Sequence, residues 1–83
     1  MSSTTVVWSK ENCPYCVQAK QMLAAKGIKF EERSLSNGSW TREQLLEAAP
    51  NARTVPQIWL HGNYVGGYTE LAQYFQDHDM WVN

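Results

Sequence analysis

Cys13 and Cys16 are the only cysteines of the chain, and Pro14 and Tyr15 stand between them. Two thiols at this spacing, set where a short apolar run (Val6-Val7-Trp8) gives way to a helix-like stretch, are the local signature of a thiol–disulfide centre. The attacking species in such chemistry is a thiolate, so the reactive cysteine needs its pKa lowered. Cys13 falls at the expected helix N-terminus, where unpaired backbone N–H groups and the helix dipole favour negative charge. Pro14 suits the first helical position, because the N–H it lacks would have had no partner there. Lys10, three residues before Cys13, can add a positive charge. Cys16 lies one turn further on and on the same helical face, within reach for a disulfide. As a staple that bond is weak: chain entropy gives a four-residue loop about 2 kcal/mol, against roughly 3 for fifteen residues. The pair reads as reactive rather than structural.

Two other readings compete. A zinc site needs four ligands, and the remaining strong candidates are His61 and His78, with sixteen residues between them and no second C-x-x-C. Redox chemistry is favoured over zinc, and no metal is expected. An inert buried pair is the plainer alternative; Pro14 between the thiols and Lys10 beside them weigh against it.

The elements that must position the pair follow from the patterning. Thr4 to Trp8 is short, apolar and β-branched, a buried strand. From Pro14 to Lys26, Val17, Ala19, Met22, Leu23 and Ala25 recur at helical spacing, with Gly27 just past the end; Met22 and Leu23 read as core. Ile28 to Arg33 alternates as a second strand, and Asn37-Gly38 marks a turn. Thr41-Arg42-Glu43-Gln44 is a capping box with Trp40 and Leu45 as a hydrophobic staple, so a helix starts at Thr41 and ends before Pro50. Trp40 fits this staple better than a binding role. Gln57 to Leu60 is a strand, His61-Gly62-Asn63 a turn, and Tyr64 to Gly66 the return strand. Thr69 is placed to cap a last helix with Leu71, Tyr74, Phe75 and His78 on one face. The order β-α-β-α-β-β-α implies a parallel first pair with a right-handed crossover, an antiparallel final hairpin, and a mixed four-stranded sheet flanked by helices.

Eighty-three residues allow one domain, residues 1–83, with a small but sufficient core. A net charge of −1 offers no electrostatic case for nucleic acid or an anionic membrane as partner. The N-terminal Met1-Ser2-Ser3-Thr4-Thr5 lacks the basic and apolar regions of a secretory signal, and the longest apolar run is far too short for a bilayer. A dithiol that must cycle suits a reducing compartment, so a cytoplasmic monomer is expected.

Three segments, Lys10-Glu11-Asn12-Cys13-Pro14-Tyr15-Cys16, Thr54-Val55-Pro56-Gln57 and Gly66-Gly67-Tyr68-Thr69-Glu70-Leu71, resemble the dithiol glutaredoxins in order and spacing, from Val6 to about Phe75. The resemblance implies a thioredoxin-like α/β fold and glutathione-dependent reduction of protein disulfides and glutathionylated proteins, with glutathione as co-substrate. It implies Cys13 as the exposed nucleophile and Cys16 as its resolving partner. It places Lys10 near the glycyl carboxylate of glutathione, with Gln57 sharing that end, and Tyr15 along the groove. Thr54-Val55-Pro56 matches a cis-proline segment in which the Val55 backbone pairs with the cysteinyl part of glutathione as an added strand. Gly66 and Gly67 allow close backbone approach, and Tyr68 and Thr69 open the helix whose N–H groups take the γ-glutamyl carboxylate. The resemblance also suggests a hydrogen-donor role toward a reductase that regenerates its own dithiol, such as ribonucleotide reductase.

Each of these residues has a plainer role as well: Lys10 a solvated charge, Pro56 a trans strand opener, Gly66-Gly67 a tight turn, Thr69 a structural cap. Thr69 stands where many relatives carry Asp, which points to a weaker or hydroxyl-mediated contact, and the loop from Pro50 to Arg53 is slightly longer than in compact relatives. Two other functions remain open. One is an iron–sulfur carrier ligated by Cys13 and glutathione across a dimer, against which Pro14 argues. The other is a reductase-dependent thioredoxin, against which Tyr15 and Gly66-Gly67 argue.

Overall fold

The computed structural model describes residues 4–79, with side chains through residue 77. Its elements run β1 (Val6–Ser9), α1 (Pro14–Ala25), β2 (Glu31–Ser34), α2 (Arg42–Ala48), β3 (Gln57–Leu60), β4 (Asn63–Gly66) and α3 (Tyr68–Asp79). The order expected from the sequence is the order found. The strands form one sheet, β2-β1-β3-β4, in which β1 and β2 are parallel and the other neighbours antiparallel.

Alternation along β1 sends its side chains to both faces of the sheet, and both faces are covered. Val7 joins Ile58, Leu60, Ala19, Leu23, Leu71 and Phe75 in the core between the sheet and the pair α1 and α3. Val6 and Trp8 point the other way and pack on Leu45 of α2, with Trp40, Val55 and Trp59 around them. The strand that carries the first cysteine on its exit loop is thus clamped from both sides. No helix among the described residues is long and apolar enough to cross a membrane.

Local chemistry explains the element ends. Thr41 caps α2, accepting from Gln44 N at 3.2 Å, while Gln44 Oε1 accepts from Thr41 N at 2.8 Å. Trp40 and Leu45 lie in one cluster, as the staple requires. Helix α1 stops in a Schellman turn: Ile28 N donates to Leu23 O and Gly27 N to Ala24 O, both at 3.0 Å, with Gly27 at φ +74°.

That turn corrects the second strand. Ile28 is still tied to the helix end, and Ile28 and Phe30 pack on the core outside the ladder. Pairing begins only where Glu31 N reaches Thr5 O, so β2 spans Glu31–Ser34 rather than starting at Ile28. On the helices, Val17 is 47% exposed and Tyr74 37%, whereas Leu71 and Phe75 are core residues. Helix α3 begins at Tyr68, which puts Thr69 inside its first turn rather than at its cap. The side chain of His78 falls outside the described residues.

Candidate active site

Cys13 and Cys16 are joined by a disulfide across 5.2 Å between their Cα atoms. Cys13 is the N-cap of α1 in extended conformation, and its sulfur accepts a hydrogen bond from Cys16 N at 3.2 Å. Pro14 occupies the first turn, as expected. The two residues differ in access: Cys13 is 8% exposed and Cys16 1%. Cys13 is therefore the reachable one, although in the disulfide form it is largely covered rather than open.

The Val55 carbonyl oxygen lies 3.7 Å from Cys13 Sγ, bringing together residues 42 apart in sequence. The Val55–Pro56 peptide bond is cis. Pairing of β1 with β3 makes this contact, since the two strands run side by side just beyond the two loops.

The other candidate residues divide between the two sides of the segment 52–55. Lys10, Thr54 and Val55 border a small cavity of 80 Å³ against α2. Thr54, Gln57 and Gly67 border a wider cleft of 400 Å³ that also takes in Gly66 and Glu70. Thr54 belongs to both. Tyr15, 60% exposed, stacks on Tyr68 with ring centroids 5.6 Å apart, so the aromatic flank of the dithiol is a pair of rings on two helices.

Gln57 lines the wider cleft and not the cavity that Lys10 borders. It is buried, its amide donates to Thr54 O at 2.9 Å, and its oxygen accepts from Tyr64 Oη. Those bonds engage the amide nitrogen and oxygen in shaping the 54–57 turn.

The start of α3 holds a feature the sequence reading did not single out. Gly67 N donates to Glu70 Oε1 at 2.9 Å, so the chain's own carboxylate occupies one helix-terminal donor. A side chain at Gly66, whose φ is +122°, would come within 3.0 Å of Glu70, and one at Gly67 within 3.3 Å of the Pro56 carbonyl. Gly66 is thus favoured by its positive φ beside Glu70, and Gly67 by the close approach of α3 to the Pro56 carbonyl. A carboxylate three residues after the cap position was the available signal, masked because the cap is glycine rather than Ser or Thr.

On the far side of the dithiol, an open cleft of 620 Å³ runs past Cys13 and Cys16 to Lys20 and Glu32. Lys20 Nζ donates to Glu32 Oε2 at 2.8 Å, and the buried Ser9 hydroxyl donates to the same oxygen at 2.6 Å. The Lys20 ammonium, and then the Ser9 hydroxyl, hold the Glu32 carboxyl below the ordinary glutamate value, with partial burial opposing them. Among the described residues no group of three His, Cys, Asp or Glu side chains gathers to hold a metal ion.

Comparison with known proteins agrees with this geometry. The glutaredoxin family model matches residues 5–65. A glutaredoxin of Pseudomonas aeruginosa is 39% identical over 66 residues, covering 80% of this chain and 77% of its own. Glutaredoxin 3 of Escherichia coli is 35% identical over 65 residues, covering 78% of this chain and 77% of its own. A buckwheat glutaredoxin–glutathione complex superimposes with a TM-score of 0.79 at 26% identity, over 93% of this chain and 71% of that one.

Proposed function

We propose that this chain, which belongs to the glutaredoxin family of thiol–disulfide oxidoreductases, uses glutathione as its reductant and acts on both glutathionylated proteins and protein disulfides. The observation that carries the reading is the Cys13 sulfur held between the α1 N-terminus and the Val55 backbone. The first favours a thiolate, and the second offers an unpaired stretch of backbone beside it.

With a glutathionylated protein, the Cys13 thiolate attacks the glutathione sulfur. The protein leaves as a thiolate, and a Cys13–glutathione disulfide remains. A second glutathione thiolate attacks the glutathione sulfur of that bond, releasing oxidised glutathione and restoring the Cys13 thiolate. With a protein disulfide, Cys13 attacks one sulfur and the other leaves as a thiolate. Cys16 then attacks Cys13 Sγ, freeing the second substrate thiolate and closing the Cys13–Cys16 disulfide. Two glutathiones reopen it.

Glutathione runs along Val55 in this reading. The glycyl carboxylate lies toward Lys10, and the γ-glutamyl carboxylate toward the Tyr68 and Thr69 N–H groups at the start of α3. The Tyr15 ring borders the groove. A buckwheat relative solved as a glutathione complex supports glutathione as the ligand. The test is turnover of a small glutathione mixed disulfide coupled to glutathione and glutathione reductase. Glutathione-dependent turnover is the expected result; reduction served only by a thioredoxin reductase would replace this reading with the thioredoxin one.

A further inference from the structure

Cys16 faces a difficulty that Cys13 does not. To resolve a mixed disulfide, its thiol must lose a proton before attacking Cys13 Sγ. Cys16 is only 1% exposed, and burial disfavours a thiolate. The hydrogen bond at the dithiol does not help it, since Cys16 N donates that bond to Cys13 Sγ. A cation on the same helical face would help.

Lys20 supplies one. It follows Cys16 by four residues in α1, so the two share a face, and helical side chains lean toward the N-terminus over the preceding turn. Its ammonium is fixed by Glu32 Oε2, the same oxygen that accepts from the Ser9 hydroxyl. Val7 packs with Ala19 and Leu23 of α1, and the parallel register pairs Val7 with Glu32. Alternation therefore puts Val7, Ser9 and Glu32 on the sheet face that α1 covers.

Ser9, like Cys16, is 1% exposed, a polar side chain at a core-facing position. An ordinary surface ion pair stabilises little and needs no buried hydroxyl to hold it. This pair instead borders the 620 Å³ cleft together with both cysteines. The other charged residues of that lining are Lys10 and Glu11, of opposite sign, on the loop before Cys13; α2, α3, β3 and β4 contribute none. We propose that Lys20, pinned by Glu32 and Ser9, is the charge that prepares Cys16 to attack Cys13, with Glu32 and Ser9 as its positioning residues. The Cys16 proton passes to solvent in the cleft, the thiolate bonds to Cys13 Sγ, and the substrate sulfur leaves as a thiolate with the electron pair of the broken bond. Cys16 as the resolving thiol belongs to the reading proposed above; glutathione as the reductant is not needed for this step.

A Cys13→Ser protein carries one thiol, so ultraviolet absorbance of its thiolate against pH reads Cys16 alone. In that background Lys20→Gln should raise the titration midpoint by about one pH unit, the lower end of the effect of an opposite charge about 4–6 Å away. Lys20→Arg should keep it close to the parent value. The exchange Lys20→Glu with Glu32→Lys keeps an ion pair but puts the carboxylate on α1, and should raise the midpoint by about two units. With both cysteines present, uncharged dithiodipyridine releases one thiopyridone as Cys13 attacks and a second as Cys16 closes the disulfide. At a pH below both midpoints, Lys20→Gln should slow the second release about threefold. Thiolate falls about tenfold, and higher intrinsic nucleophilicity, with a Brønsted slope of about 0.4–0.5, restores roughly a factor of three. An unshifted midpoint in Lys20→Gln would overturn the proposal. So would an exchanged protein that titrates like the parent, because the pair would then act only as a structural bridge. Neither measurement contains glutathione, so failure of the glutathione reading would appear in the coupled assay alone.

Discussion

Replacing Cys16 by serine should divide the two reactions, and the structure sets the size of the division. The Cys13 and Cys16 Cα atoms are 5.2 Å apart. One thiol confined to a sphere of that radius, about 590 Å³, corresponds to an effective concentration of about 3 M, taking about 1,660 Å³ per molecule at 1 M. In an assay at about 1 mM glutathione, the external thiol starts about 3,000-fold behind Cys16 in resolving a substrate bound to Cys13. Cys16→Ser should therefore lose on the order of 10³ in protein-disulfide reduction when resolution limits the rate. It should stay within a few-fold of the parent on a small glutathione mixed disulfide, which never needs Cys16. Raising glutathione tenfold should restore the protein-disulfide rate about tenfold, because the external thiol now performs the step. Cys13→Ser should lose both reactions. Parallel rates on the two substrate classes, across a glutathione series, read all of this. A folded Cys16→Ser protein inactive on both classes would refute the one-thiol route. One whose residual protein-disulfide rate ignored glutathione would refute the effective-concentration argument.

After reduction, Cys13 should be the thiol labelled by brief iodoacetamide treatment at mildly acidic pH, since it caps α1 and is the more exposed at 8% against 1%; peptide mapping that finds Cys16 labelled first would reverse the assigned roles. Thr41→Ala removes an N-cap and half of a capping box, and should cost about 1 kcal/mol, seen as a fall in Tm of about 4–8 °C with unchanged kcat. Glu32, whose pKa is lowered on folding, contributes stability that is complete above its unfolded value and is lost as pH falls through its folded value. Urea midpoints of the parent and Glu32→Gln should therefore differ at neutral pH and converge in acid, with a gap at neutral pH of at most about 1 kcal/mol for so exposed a pair.

Where side-chain type dictates local geometry, the structure could be read from the chain. The capping box at Thr41, the staple of Trp40 on Leu45, Gly27 past the end of α1 and the Cys13 cap each need only neighbours within a few residues. Other features depend on distant partners and left no local trace. Ile28 and Phe30 alternate like a strand, yet pairing starts only where Glu31 N reaches Thr5 O, just before β1. Gln57 is polar in a predicted binding segment, and only the approach of Tyr64 across the hairpin shows that its amide is already engaged. Thr69 resembles a helix cap until Glu70 is seen bonded to Gly67. The cavity rimmed by Lys10, Arg42 and Arg53 draws on three separated segments, and no spacing rule connects them.

The sheet order β2-β1-β3-β4 leaves two strands at its margins. A free strand margin is a hazard for any protein that handles extended chains, because it could recruit them, or another copy, with no chemistry to release them. Both margins are blunted. β2 is four residues long and reads Glu31-Glu32-Arg33-Ser34, with Arg33 bound to Glu31 and lying 4.3 Å from the Trp40 ring centroid. β4 is equally short, and its pairing with β3 is broken by an irregularity beside Ile58 and Trp59. Short length, charge and a broken register each discourage edge-to-edge growth. In the proposed reading, backbone pairing with visitors is thereby left to the Val55 stretch, which adjoins the Cys13 sulfur and where a complex can be undone by thiol exchange.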